Sequence, residues 1–159
     1  MTMTSKQVLS IDQMKHLQEL GLDTSDASMC WCLFFGDKKE KWELEIYEDV
    51  INQKRDSSFW EIIPSFTLQD ILDKLPKRID EFELRIKMFV FDYVGHTEYK
   101  WSIIYESTDM MSYLDTLLQS SYTNLIEAAY NMLCMCALKT DMLKLERRTN
   151  YGIYNSSVY

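Results

Sequence analysis

The chain has 159 residues, with 25 Asp and Glu against 17 Lys and Arg, and a formal net charge of −8. That length suits one domain with a full core, since single domains most often run to roughly 100–150 residues; an apolar fraction of 47%, 13% aromatics and few Gly (4) or Pro (2) exclude a disordered chain. The acidic balance repels phosphate backbones and argues against nucleic acid as a partner.

The amino terminus, "MTMTSKQVLSIDQ", carries one lysine and no apolar run, so it lacks the parts of a secretory signal. No segment reaches the roughly 18 apolar residues of a membrane span. These features predict a soluble cytoplasmic protein with no membrane partner, in a compartment where cysteines stay reduced.

The first element is well marked. Ser10 can cap a helix whose third position is Gln13, Leu9 and Met14 stand at the positions of a hydrophobic staple, and Gly21 supplies the left-handed residue that ends it, with Leu22 placed to fold back. Ile11, Met14, Leu17 and Leu20 form its apolar stripe, and His16 falls on the flank. "SMCWCLFF" and "KWELEIYED" then read as an antiparallel hairpin about "GDKKE": Trp42, Leu44 and Ile46 alternate with Glu43, Glu45 and Tyr47, the period of a strand with one wet face. "DVINQKRDSS" is polar and lacks periodicity, which predicts an exposed connection.

In "IIPSFTLQDILDKLPKRI", Thr67 is a good N-cap, Asp70 lies in the first turn, Phe66 and Ile71 are placed as a second staple and Pro76 ends the helix after Leu75. A second hairpin follows, "FELRIKMFVFDYV" and "EYKWSIIYES" about "GHT". Phe82, Leu84, Ile86, Met88 and Val90 line one face of its first strand; Phe89, Phe91 and Tyr93 make the other face apolar too, which predicts cover by another element. Leu114, Leu117 and Leu118 suggest a short helix, and "NLIEAAYNMLCMCALK", with Asn124 and Glu127 at its start, is the longest helical pattern. The order helix, hairpin, helix, hairpin, helix predicts an α+β fold: an antiparallel sheet built from two hairpins with helices packed mainly on one face. Residues 1–145 form the single globular domain and 146–159 a C-terminal tail, either mobile or an added edge strand.

The four cysteines occur as two C-x-C pairs, "CWC" and "CMC". On a strand Cys30 and Cys32 share a face, but on a helix residues two apart lie about 200° apart around the axis, so Cys134 and Cys136 cannot address one ion. Buried thiols are the better reading, with no metal and no cofactor. There is no G-x-S-x-G, H-E-x-x-H or glycine-rich phosphate loop. His96, in "VGHTEY", reads as a turn residue without a cleft. Glu43 and Glu45 share a strand face, as a glycosidase pair might be placed, but the solvated side of an edge strand accounts for them. Met110, Met111, Met132, Met135 and Met142 suit gap-filling in a core more than an adaptable binding surface. Lys144, Arg147 and Arg148 suit a helix end.

Four Trp and ten Tyr are more aromatic surface than a domain of this size must bury, and aromatics favour protein interfaces. Trp31, Trp42, Tyr47, Trp101 and Tyr105 are the candidate partner-binding residues, for a homodimer or another protein; no residue is a candidate for catalysis, cofactor or metal.

The segments "LSIDQMKHLQELGLDTSDASMCW", "IPSFTLQDILDKLPKRI" and "LIEAAYNMLCMCALK" resemble an uncharacterised family of small proteins of gut Bacteroidetes and related bacteria, often carried with prophage or other mobile DNA. The resemblance extends to Leu138 and rests on cap and packing patterns. It implies a bacterial cytoplasmic setting and an accessory role, with no functional residue to carry over. The expectation is a non-enzymatic accessory protein working through protein contacts. The alternatives are a small-molecule-binding protein, an enzyme of unrecognised type, or an acidic DNA mimic.

Overall fold

The computed structural model describes residues 7–36, 38–109 and 115–154, with 141–154 described by backbone alone. In chain order the elements are α1 (Ile11–Glu19), β1 (Met29–Phe34), β2 (Glu43–Ile46), α2 (Tyr47–Asn52), β3 (Trp60–Ser65), α3 (Leu68–Lys74), β4 (Arg78–Ile79), β5 (Phe82–Tyr93), β6 (His96–Ser107), β7 (Thr116–Tyr122) and α4 (Leu125–Tyr154). The fold is α+β with antiparallel pairing. The two hairpins do not share a sheet, however: β1 and β2 belong to a three-stranded sheet ordered β2-β1-β3, and β5 and β6 to a four-stranded sheet ordered β4-β5-β6-β7.

Both capped helices form as their sequences dictate. Ser10 Oγ accepts from the Gln13 N–H and Gln13 Oε1 from the Ser10 N–H, closing a capping box. At the other end the Leu22 N–H reaches the Leu17 carbonyl and the Gly21 N–H that of Gln18, with Gly21 at φ +81°, so the helix closes in a Schellman motif. Thr67 and Asp70 form the second box at the head of α3, and Leu75 turns extended before Pro76.

One apolar core joins the layers: Met14 and Leu17 of α1, Trp31 and Ile63 of the first sheet, Ile71 of α3, Ile103 and Tyr105 of the second sheet, and Ile126, Ala129 and Met132 of α4. Helices α1, α3 and α4 thus serve both sheets. Because side chains alternate along β1, Cys30 and Cys32 face away from Trp31 and pack with Val50 of α2 in a separate small cluster.

Four sequence expectations are corrected. β3, unforeseen, contains Pro64, which an edge strand accommodates because its missing N–H can face outward. The connection after β2 is partly helical, because Val50 supplies a buried anchor in an otherwise polar stretch. Leu117 and Leu118 lie on β7 and not on a helix; a short apolar run does not distinguish the two, and here β6 offers a hydrogen-bonding edge. The backbone of 146–154 continues α4 as helix, so this stretch is not an edge strand; 155–159 lie outside the described residues, as do Met110, Met111, Leu114 and the side chains of Met142, Lys144, Arg147 and Arg148.

Candidate interaction surface

β5 and β6 pair along their whole length, from Phe82 opposite Ser107 to Tyr93 opposite His96. β7 supports β6 only as far as Trp101, which stands opposite Met88. From Phe89 to Lys100 the two strands therefore run on as a ribbon, about 20 Å long at roughly 3.4 Å per residue. A two-residue turn, Val94–Gly95, closes it, with Gly95 at φ +97° where a side chain would be strained.

The ribbon's cross-strand pairs are well made. Thr97 Oγ1 donates to Asp92 Oδ1 at 2.8 Å, and the Tyr93 and His96 rings stack with centroids 5.2 Å apart. At its root Glu83 accepts from Arg78 (2.6 Å) and Arg85 (2.8 Å), and Lys87 bonds Glu106 at 2.6 Å. The Arg78 guanidinium beside Glu83 holds that carboxyl below its usual range.

The apolar side chains of the ribbon lack cover among the described residues. Phe82 and Leu84 pack on the core, but Met88 is 52% exposed, Val90 54%, Tyr93 54% and Tyr99 54%, with Ile86, Phe89 and Phe91 also exposed. Both faces are affected, since odd and even positions of β5 alternate between them. The sequence marks this stretch as apolar on two sides, and the described residues leave both sides partly exposed. The outer edge of β5 is open as well among the described residues: β4 pairs only with Phe82 and Glu83, and the Leu84 N–H reaches the Lys77 carbonyl. A smaller aromatic patch, Phe34, Phe35 and Phe59 beside Trp60, lies on the other sheet.

The five residues singled out from sequence do not form one surface. Trp31 is buried, and its Nε1 donates to the Leu9 carbonyl at 3.0 Å, while Ser65 Oγ donates to the same oxygen at 2.8 Å. Tyr105 is fully buried; its hydroxyl donates to the Pro76 carbonyl at 2.7 Å, and burial, with Cys136 beside it, pushes its pKa far up. Both hold the core and are closed to a partner. Trp42 and Tyr47 are half-buried against the core from the three-stranded side. Trp101, half-buried at the root of the ribbon, is the one that adjoins the exposed surface.

Other candidate chemistry is placed as follows. Cys30 and Cys32 are buried with their sulfurs 3.5 Å apart; burial pushes both thiols up, Cys32 to about 12. Arg55 forks onto Glu45 at 2.8 and 2.6 Å and lies 4.2 Å over the Trp60 ring, so Glu45 is an ion-pair member and not half of an acid pair with Glu43. Among the described residues no group of three or more His, Cys, Asp or Glu is placed to hold a metal, and no helix is long and apolar enough to cross a membrane. Compared with known protein families, characterised proteins and solved structures, the chain matches none.

Proposed function

We propose that the chain is a non-enzymatic accessory protein of the bacterial cytoplasm that acts through protein–protein contacts, with the β5–β6 ribbon as its contact element. The observation that carries this reading is the apolar ribbon. Aromatic side chains each offer roughly 150–250 Å² for burial, so the ribbon's partly exposed residues leave on the order of 400 Å² uncovered on each of its two faces, the size of the largest and often functional patch on a monomer, roughly 300–600 Å². A two-stranded hairpin is at best marginally stable in water, so a partner laid against it would also hold it in shape. Glu45, Glu83 and Glu106 are each neutralised by an Arg or Lys, which counts against an acidic DNA mimic, whose carboxylates must stand bare in rows. The free thiols support a place in the cytoplasm, and the family resemblance supports an accessory role with mobile DNA.

A photo-cross-linking residue in place of Phe91 tests the reading, with the same residue in place of exposed Glu48 as control. The protein is irradiated alone and in bacterial lysate. Discrete cross-linked species from position 91 and none from position 48 are expected. Equal patterns from the two positions would refute it.

A further inference from the structure

We infer that the outer edge of β5 is a homodimer interface, in which two copies pair β5 with β5 antiparallel about a twofold axis at Phe89 and join their four-stranded sheets into one of eight. This deepens the proposed contact role of the ribbon and rests on it. Hydrogen bonding sets the first condition. In an antiparallel ladder alternate residues turn both backbone groups toward the same neighbour. Leu84 turns its N–H away from β6 to Lys77, so Ile86, Met88, Val90 and Asp92 turn theirs outward onto the open edge. An uncapped apolar edge of this length is a template for another strand, and a strand paired antiparallel with its own copy is self-complementary by construction.

Charge then selects the register. An axis at Arg85, Lys87 or Asp92 sets a like charge against itself, and one at Ile86 sets Arg85 against Lys87. An axis at Met88 drives Asp92 of the second copy, still within its strand, onto Leu84, whose edge already belongs to Lys77, whereas an axis at Phe89 brings opposite Leu84 only Val94, where the chain is already turning away to β6. With the axis at Phe89, the two Phe89 rings face each other, Lys87 lies opposite Phe91 of the second copy and Arg85 opposite its Tyr93, while Met88 and Val90 exchange hydrogen bonds. Each cation then meets an aromatic ring, a favourable pairing. Moving the axis to Val90 sets Arg85 against Gly95 and loses one such contact. The pairing lays the partly exposed side chains of β5 from Ile86 to Tyr93 beside those of the second copy on both faces of the joined sheet.

Light scattering on the full chain tests this. A mass twice that of the 19.0 kDa chain is expected for the unaltered protein. Phe89→Lys and Phe89→Glu, at an exposed side chain, should each keep the unaltered far-ultraviolet spectrum and lose the dimer, with at least a tenfold rise in dissociation constant. Mixed one to one, they should recover it, because only an axis at position 89 sets the new lysine against the new glutamate. Dimers of either variant alone, or a mixture that stays monomeric, would overturn the inference. An unaltered monomer whose position-91 probe captures a different protein would overturn the homodimer and leave the contact role standing; an unaltered monomer with no cross-link would overturn both.

Discussion

Substituting Asp70→Asn should destabilise the protein through a junction between two elements. The Asp70 carboxylate accepts from the Thr67 N–H at 2.8 Å, closing the capping box of α3, and from the N–H and hydroxyl of Ser28 at 3.1 and 2.5 Å, fastening that helix to the residue preceding β1. Burial pushes its pKa up, but the hydrogen bonds from Ser28 and Thr67 outweigh that and hold it below the ordinary value. An amide oxygen in the place of Oδ2 keeps both N–H bonds without the charge, and the amide NH2 then faces the Ser28 hydroxyl, which must turn round to accept. With hydrogen bonds to a charged group contributing about 1.5–3 kcal/mol each, neutral ones about 0.5–1.5, and the side chain half-exposed, the loss at neutral pH should be about 1–2 kcal/mol. For a chain of this size that is a fall in Tm of about 2–8 °C. Because the folded pKa lies below the unfolded one, this stabilisation is fully present above about pH 4 and is lost as the pH falls through the folded value. Melting curves of both proteins from neutral to acid pH should therefore converge at the acid end. A Tm change below about 1 °C, or a gap that stays constant throughout, would refute the assignment.

Three other outcomes are expected. Leu17→Ala, at a fully buried α1 position in the shared core, should cost about 2–5 kcal/mol in urea unfolding. In the native protein a thiol reagent should modify Cys134 first and leave Cys30, Cys32 and Cys136 until denaturant is added, because burial pushes all four thiols up but only Cys134 is partly exposed; fast native labelling of Cys32 would contradict its packing. Arg55→Ala should shift the Trp60 fluorescence and return the Glu45 carboxyl, now held low by Arg55, toward its ordinary value, at a stability cost of about 1 kcal/mol because the pair is partly exposed.

What the sequence reveals of the fold is its locally encoded part. Ser10 with Gln13, Thr67 with Asp70, Gly21 and Pro76 each act within a few residues, and the structure has both helices they imply. β3 and β7 depend on what lies beside them: "TLLQSSY" becomes a strand because β6 runs alongside, at a distance no local pattern records. The division into two sheets is hidden for the same reason, since hairpin signals do not say which hairpin edges meet. For the contact surface, composition points to aromatics, but tryptophans are also good core residues. Trp31 and Tyr105 are buried with their polar atoms hydrogen-bonded, while the exposed apolar run lies among Met88, Val90 and their neighbours. The double-sided apolar pattern of late β5 was the usable signal, once cover by the same chain is not assumed.

The tie between the two ends of the chain has a consequence for its synthesis. Gln13 of α1 bonds both carboxylate oxygens of Glu127 on α4, and Met14 and Leu17 share their core with Ile126 and Met132. At about 5–20 residues per second, a ribosome takes several seconds to bring α4 out after α1. During that interval α1 can seat against β1, β3 and α3 but lacks the side that Ile126 and Met132 close. The newborn chain thus depends on its local helix signals, or on a chaperone, until its closing helix arrives.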